Sequence, residues 1–176
     1  ENKNAEYDLF FAMSHGVHRG VLKKGKFDER EHLINYLIKK NPHLKFNIFG
    51  MNNIQPIWGD EFKKNLYNSK IALNLSQGKP LKYYSSDRIA QLMGNGIATL
   101  VDKKTKLNKL FSNNEVIFYN SNQDLNKKLN IMIKKNNLRD KLAKKGRLKY
   151  HKKYNSTIVA DFIISKTFGI NKNYNW

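Results

Sequence analysis

The sequence contains no cysteine, which excludes a disulfide framework and any thiolate-bound metal or redox centre. Long apolar runs are missing too. Nothing approaches the roughly 20 residues that span a bilayer, and no apolar core follows the polar start Glu1-Asn2-Lys3-Asn4, so neither a membrane helix nor a secretory signal is read and a cytoplasmic setting is expected. Acidic residues are few, 14 against 33 lysines and arginines in 176 residues. Arginine is also scarce: Arg19, Arg30, Arg88, Arg139 and Arg147 are the full set, and every other basic residue is lysine. The net charge of +19 invites a polyanion partner, yet lysine spread among asparagines is a poor substitute for an arginine-rich phosphate reader. Helix-turn-helix, zinc-finger and RNP motifs are absent, which ranks a nucleic-acid module low; an anionic membrane surface is an equally physical partner for scattered lysines. No G-x-G-x-x-G, P-loop or D-x-D pattern occurs either, which removes the usual dinucleotide, P-loop ATP and metal-clamp signatures.

What is present is a regular alternation of strand and helix. Tyr7–Met13 reads as a first strand, followed by a glycine-rich basic loop from Ser14 to about Asp28 and a helix over 29–40 with Leu33, Ile34, Leu37 and Ile38 on one stripe. Lys45–Gly50 is a second strand, 60–69 a helix, and Ile71–Ser76 a third strand. A helix from about Ser86 to Asn95, a strand at Ile97–Val101, a short helix near 104–111 and a strand at Val116–Tyr119 continue the series. Ser121 then opens a helix in a Ser-x-x-Asp capping pattern; helices from Leu138 to Tyr150 and from Asn155 or Ser156 to about Phe168 follow, and Asn171–Trp176 is a tail. This order predicts an α/β fold: a Rossmann-like, doubly wound parallel sheet of five to six strands with C-terminal helices, whose ligands lie at the carboxyl ends of the strands.

Two loops leave such carboxyl ends. The segment Tyr83-Tyr84-Ser85-Ser86-Asp87-Arg88-Ile89-Ala90-Gln91 enters a helix stopped at Gly94-Asn95-Gly96. Ser85 or Ser86 can cap the free N–H groups, and two hydroxyls and a guanidinium at a helix start suit an anion. The plain alternative is a well-capped surface helix. In the first loop, Gly16 and Gly20 allow close backbone approach while Arg19 and Lys24 could neutralise a diphosphate; a solvated basic loop is the competing reading. His15 and His18, three apart with no carboxylate beside them in sequence, read as loop residues rather than as a catalytic or metal pair. Asp28-Glu29 and Asp60-Glu61 read as helix-start residues, so paired carboxylates of the glycoside-hydrolase kind are not apparent, and no cofactor is expected.

Taken together, Ser86-Asp87-Arg88-Ile89 with Gln91 and Gly94-Asn95-Gly96, then Asn120-Ser121-x-x-Asp124-Leu125, then Arg139-x-x-Leu142-Ala143-x-x-Gly146-Arg147-x-x-Tyr150-x-x-x-Tyr154, resemble the group 1 glycosyltransferases, with the spore-maturation-protein-like branch nearest in flavour. The resemblance runs from about Asp8 to Phe168 and matches the C-terminal half of such enzymes. It implies one half of a GT-B fold: residues 1–170 as the nucleotide-sugar-binding domain, 171–176 as a tail, and an N-terminal acceptor domain outside this chain. A start at Glu rather than Met fits that expectation. By the same resemblance Arg19 and Lys24 contact donor phosphates, Ser85, Ser86 and Arg88 form the donor-side helix start, and Gln91 stands where many relatives carry a glutamate; beside them Gly16 lets the backbone approach the donor, and Tyr83 or Tyr84 could stack on the base or line the pocket, with core or rim packing as the competing role. The amide can hydrogen-bond hydroxyls but cannot act as an acid or base. The implied reaction moves a sugar from a nucleoside diphosphate to an acceptor glycan or lipid-linked glycan, with basic side chains, rather than metal, stabilising the departing diphosphate. A catalytically retired donor-binding or scaffolding domain is the rival reading.

Overall fold

The computed structural model describes residues 5–17, 20 and 22–174. Five parallel strands form one sheet in the order β2-β1-β3-β4-β5: β1 Tyr7–Ala12, β2 Phe46–Phe49, β3 Ser69–Asn74, β4 Ala98–Asp102 and β5 Ile117–Tyr119. The helices between and after them are α1 Glu29–Lys40, α2 Gly59–Tyr67, α3 Asp87–Gly94, α4 Asn122–Lys134, α5 Asn136–Lys153 and α6 Ser156–Thr167. The expected doubly wound parallel sheet is therefore present, with five strands.

Alternation along each strand divides the core between two layers. Leu9 and Phe11 of β1 join Ile71 and Leu73 of β3 beneath α1 and α4, where Ile34, Leu37, Leu125 and Leu129 are buried. Phe10 and Ala12 turn to the opposite face with Ala72, against Leu66 of α2 and Leu92 of α3. A third cluster closes the β5 side, where Ile89, Met93, Val101 and Phe118 pack with Phe111 and the partly buried Tyr150 and Tyr154. Strands buried on both faces carry near-continuous apolar runs, which is why they were legible in the sequence.

Several boundaries differ from the sequence expectation. Strand β3 begins at Ser69 and ends at Asn74, because Ser69 already pairs in register with Tyr7 at the start of β1. The expected helix at 104–111 is two 3₁₀ turns, Lys103–Thr105 and Leu107–Lys109, separated by Lys106 in the left-handed region at φ 59°. At Ser121 the hydroxyl does accept from the Asp124 N–H, while the Asp124 carboxylate reaches back to the Asn120 N–H. Helix α6 forms where expected, but only Ser165 on it is buried.

Candidate functional site

The sheet order places a topological switch between β1 and β3: the chain leaves β1 toward β2 on one side and leaves β3 toward β4 on the other. The loops at their carboxyl ends, 13–28 and 75–86, therefore part and bound a crevice. They meet at Gly16, where an added Cβ would stand 2.8 Å from Gln77 Nε2 and 2.7 Å from the Leu22 side chain. The absent side chain thus lets side chains of both loops pack against this point.

The first loop is pinned from below by the start of α1. Asp28 is its N-cap, and Asp28 with Glu31 completes a capping box. Arg30 Nε and Nη2 donate to the two Asp28 oxygens at 2.8 and 2.6 Å, and Nη2 also donates to Ser14 O at 2.9 Å. The Gly16 N–H donates to Asp28 Oδ2. Burial alone would raise the Asp28 pKa, but the Arg30 hydrogen bonds and charge, with the Gly16 N–H, outweigh it and lower the value to about 2. His15 lies against the same helix start, its Nε2 2.5 Å from Glu31 Oε1 while its Nδ1 accepts from the Val17 N–H. An accepting Nδ1 leaves Nε2 as the proton-bearing nitrogen of the neutral ring. The expectation of a histidine without a carboxylate partner is thus corrected: the partner sits 16 residues away, brought in by the fold.

The second loop delivers Arg88 into the crevice. Its Nη1 donates to Leu75 O at 2.6 Å and the guanidinium lies 5.5 Å from the Phe11 ring centroid, so the end of β3 and the end of β1 hold it in place. Ser86 occupies the α3 N-cap with extended backbone, yet its hydroxyl makes no capping bond, and Oγ is buried without a hydrogen-bond partner among the described residues. The expectation that a serine hydroxyl caps this helix is corrected on that point. Ser85 is exposed on the loop that enters α3.

Two lobes of the crevice share Arg30, Tyr84, Asp87 and Arg88. One, of about 620 Å³, is walled further by Leu22, Phe27, Gln77 and Ser86. The other, of about 470 Å³, is walled by Ser14, Ile57, Trp58, Phe62 and Gln91. A separate cavity of about 700 Å³ lies at the end of β2, lined by His15, Glu31, Met51, Asn52, Asn53 and Gln55. The fold therefore brings Tyr84, Ser86, Arg88 and Gln91 to one place. Gly16 shapes the loop and commits its N–H to Asp28. Lys24 is exposed and outside the lining of these cavities. Arg19 and His18 lie outside the described residues. Sequence reasoning missed Arg30, whose signal was the Asp28-x-x-Glu31 box that fixes the helix start, and Trp58, which no motif marked. Among the described residues no group of three or more His, Cys, Asp or Glu could hold a metal ion.

The Glycosyl transferase-like family profile matches residues 29–165, more than half of the chain. The chain belongs to this family. That bears out the resemblance read from α3 and α5 at the level of group 1 glycosyltransferases. Among solved structures, the chain is similar to the crystal structure of TarM, with a TM-score of 0.64 at 13% identity over 92% of this chain and 35% of TarM. It is also similar to the C-terminal domain of a glycosyl transferase group 1 family protein, LpcC from Francisella tularensis, with a TM-score of 0.52 at 15% identity over 72% of this chain and 63% of that domain. At these identities the likeness establishes a shared fold, and the chain spans about a third of the length of TarM. No curated protein sequence matches the chain.

Proposed function

We propose that this glycosyltransferase domain binds a nucleoside-diphosphate sugar in the crevice between β1 and β3 and presents it for transfer to an acceptor hydroxyl. The observation that carries the reading is Arg88, positioned by Leu75 O and Phe11 at the start of α3 beside a buried Ser86 hydroxyl that has no hydrogen-bond partner among the described residues. A diphosphate placed there would meet a guanidinium, a hydroxyl and the free N–H groups of α3. As the glycosidic bond breaks, negative charge accumulates on the leaving diphosphate, and fixed donors stabilise that charge more than they stabilise the bound donor. Arg19 and Lys24 of the first loop raise the local positive potential, Lys24 from outside the cavity linings described above, Ser85 adds a hydroxyl at the start of α3, and Gly16 keeps the first loop in place through its N–H to Asp28. Gln91, lining the same lobe as Arg88, donates or accepts hydrogen bonds with sugar or ribose hydroxyls. No metal enters this scheme.

The acceptor is a glycan or lipid-linked glycan at the cytoplasmic side of a membrane, and the surplus of exposed lysine supports peripheral contact with anionic lipid. Isothermal calorimetry of the chain against a panel of nucleoside diphosphates and their sugar conjugates tests the binding step. Micromolar-range affinity for one nucleotide supports the reading, and absence of heat across the panel defeats it. One observation favours the second reading, a retired donor-binding domain: Gln91 is neutral where many relatives carry a glutamate. Release of nucleoside diphosphate from the bound sugar nucleotide, measured for the wild type and Gln91→Glu, separates the two. A gain on restoring the carboxylate together with an inactive wild type identifies a binding domain that has lost its chemistry.

A further inference from the structure

Seven of the 13 residues from Lys141 to Lys153 are lysine or arginine, so the basic surplus is concentrated on α5. The helix holds a single acid, Asp140, whose carboxylate lies 3.5 Å from Arg139 Nε. Leu142 and Gly146 face the core, and the opposite side carries Leu138, Lys141, Lys145, Leu148 and Lys152, all exposed. On α2 and α4 a lysine meets an acid of its own helix, Lys63 at Asp60 and Lys128 at Asp124. Lys141, Lys145 and Lys152 have no such partner among the described residues. Lys141, Lys145 and Lys149 instead follow one another at i, i+4, where like charges repel, and an anionic surface laid against the face relieves that repulsion. Leu138 is 44% exposed and Leu148 61%. Single exposed leucines are ordinary, but these two share one stripe with lysines whose stems are apolar up to the ammonium.

We propose that the outward face of α5 is the surface by which the chain lies on an anionic lipid bilayer, with its lysine ammonium groups at headgroup level and Leu138 and Leu148 reaching the acyl boundary. The inference rests on the proposed peripheral membrane contact and assigns that contact to one face rather than to the whole charged surface. Two leucines do not hold a chain on lipid by themselves, so charge and apolar contact act together, and neutral lipid or high salt releases the chain. A polynucleotide is the other polyanion of matching charge, but this stripe offers no aromatic side chain on which bases stack, and its leucines have no role against a phosphate backbone. None of these side chains lines the crevice between β1 and β3, so contact through α5 leaves the donor-binding residues uninvolved.

The absence of cysteine gives a site-specific test. Leu148→Cys and, on α2, Lys64→Cys variants of the full chain are labelled with an environment-sensitive fluorophore and titrated at physiological salt with vesicles of equal parts phosphatidylcholine and phosphatidylserine. Sedimentation with the same vesicles compares the wild type with two variants of equal charge loss: Lys141→Gln with Lys145→Gln and Lys152→Gln on α5, and Lys39→Gln with Lys40→Gln and Lys64→Gln on α1 and α2. Expected are a blue shift for the Leu148→Cys label and none for the Lys64→Cys label, partitioning at least about tenfold weaker in the α5 variant, and partitioning close to wild type in the α1 and α2 variant. Equal weakening in the two charge variants overturns the α5 face and leaves a diffuse peripheral contact standing. Absence of wild-type binding to these vesicles overturns both. An unshifted Leu148→Cys label on bound vesicles rejects the leucine contact with lipid. Displacement of the chain from vesicles by single-stranded RNA, with the label unshifted throughout, assigns the face to a polynucleotide and rejects the bilayer.

Discussion

Asp28 ties the first loop to the start of α1, since it caps α1, pairs with the buried Arg30 and receives the Gly16 N–H. Its pKa of about 2 in the folded chain lies below the ordinary 3.8, so ionised Asp28 stabilises the fold above pH 3.8, and that contribution is lost as pH falls toward 2. The linkage corresponds to about 2 kcal/mol. Thermal melts between pH 5 and pH 2 should show this loss in the wild type. Asp28→Asn, which leaves the Arg30 guanidinium buried without its counter-ion, should be destabilised by roughly 3–5 kcal/mol at neutral pH and should show a flatter acid limb. An acid limb as steep in Asp28→Asn as in the wild type would remove Asp28 from this role. None of this pairing was visible in the sequence beyond the capping box itself, because His15, Ser14 and Gly16 reach α1 only through the fold. Arg88 was the opposite case: its place at a helix start after a strand already marked it.

Among the elements, the loops after β1 and β2 are held together by a backbone approach that only glycine allows. Gly50 has φ +81°, and a Cβ there would stand 1.7 Å from Met13 O. Gly78, with φ +73°, has open space around it. Gly50→Ala should therefore cost several kcal/mol, with loss of cooperative unfolding as the extreme, while Gly78→Ala carries only the backbone strain of about 1 kcal/mol. Urea denaturation of the two variants checks the contrast, and equal effects would refute it. On α5, a Cβ at Gly146 would lie 2.5 Å from Glu115 O, which explains a glycine in the interior of an 18-residue helix where propensity argues against it. Strand and helix order was legible because apolar runs and capping residues are local signals. Helix α6 shows the limit of such signals: its periodic apolar residues predicted a helix correctly, but Ile163, Ile164 and Phe168 remain exposed, and helicity alone does not say what a face meets.

At the scale of the whole molecule, a charge of +19 attracts any polyanion weakly, so a site must be distinguished from a field. Binding to vesicles rich in phosphatidylserine should be strong at low ionic strength, fall away by 1 M salt and be absent on neutral vesicles; salt-independent binding would point to apolar insertion instead. The crevice differs from this diffuse attraction because its donors are fixed. A second basic groove, at the opposite pole of the sheet where β3 and β4 begin, is lined by Lys70, Lys144 and Arg147 and serves as an internal control. Calorimetric titration of nucleoside diphosphate into Arg88→Ala and Arg147→Ala at physiological salt is the measurement that bears most directly on the account. Donor binding between β1 and β3 predicts that Arg88→Ala loses at least tenfold in affinity while Arg147→Ala matches the wild type; equal losses in the two variants would contradict it and leave only the charge of the surface.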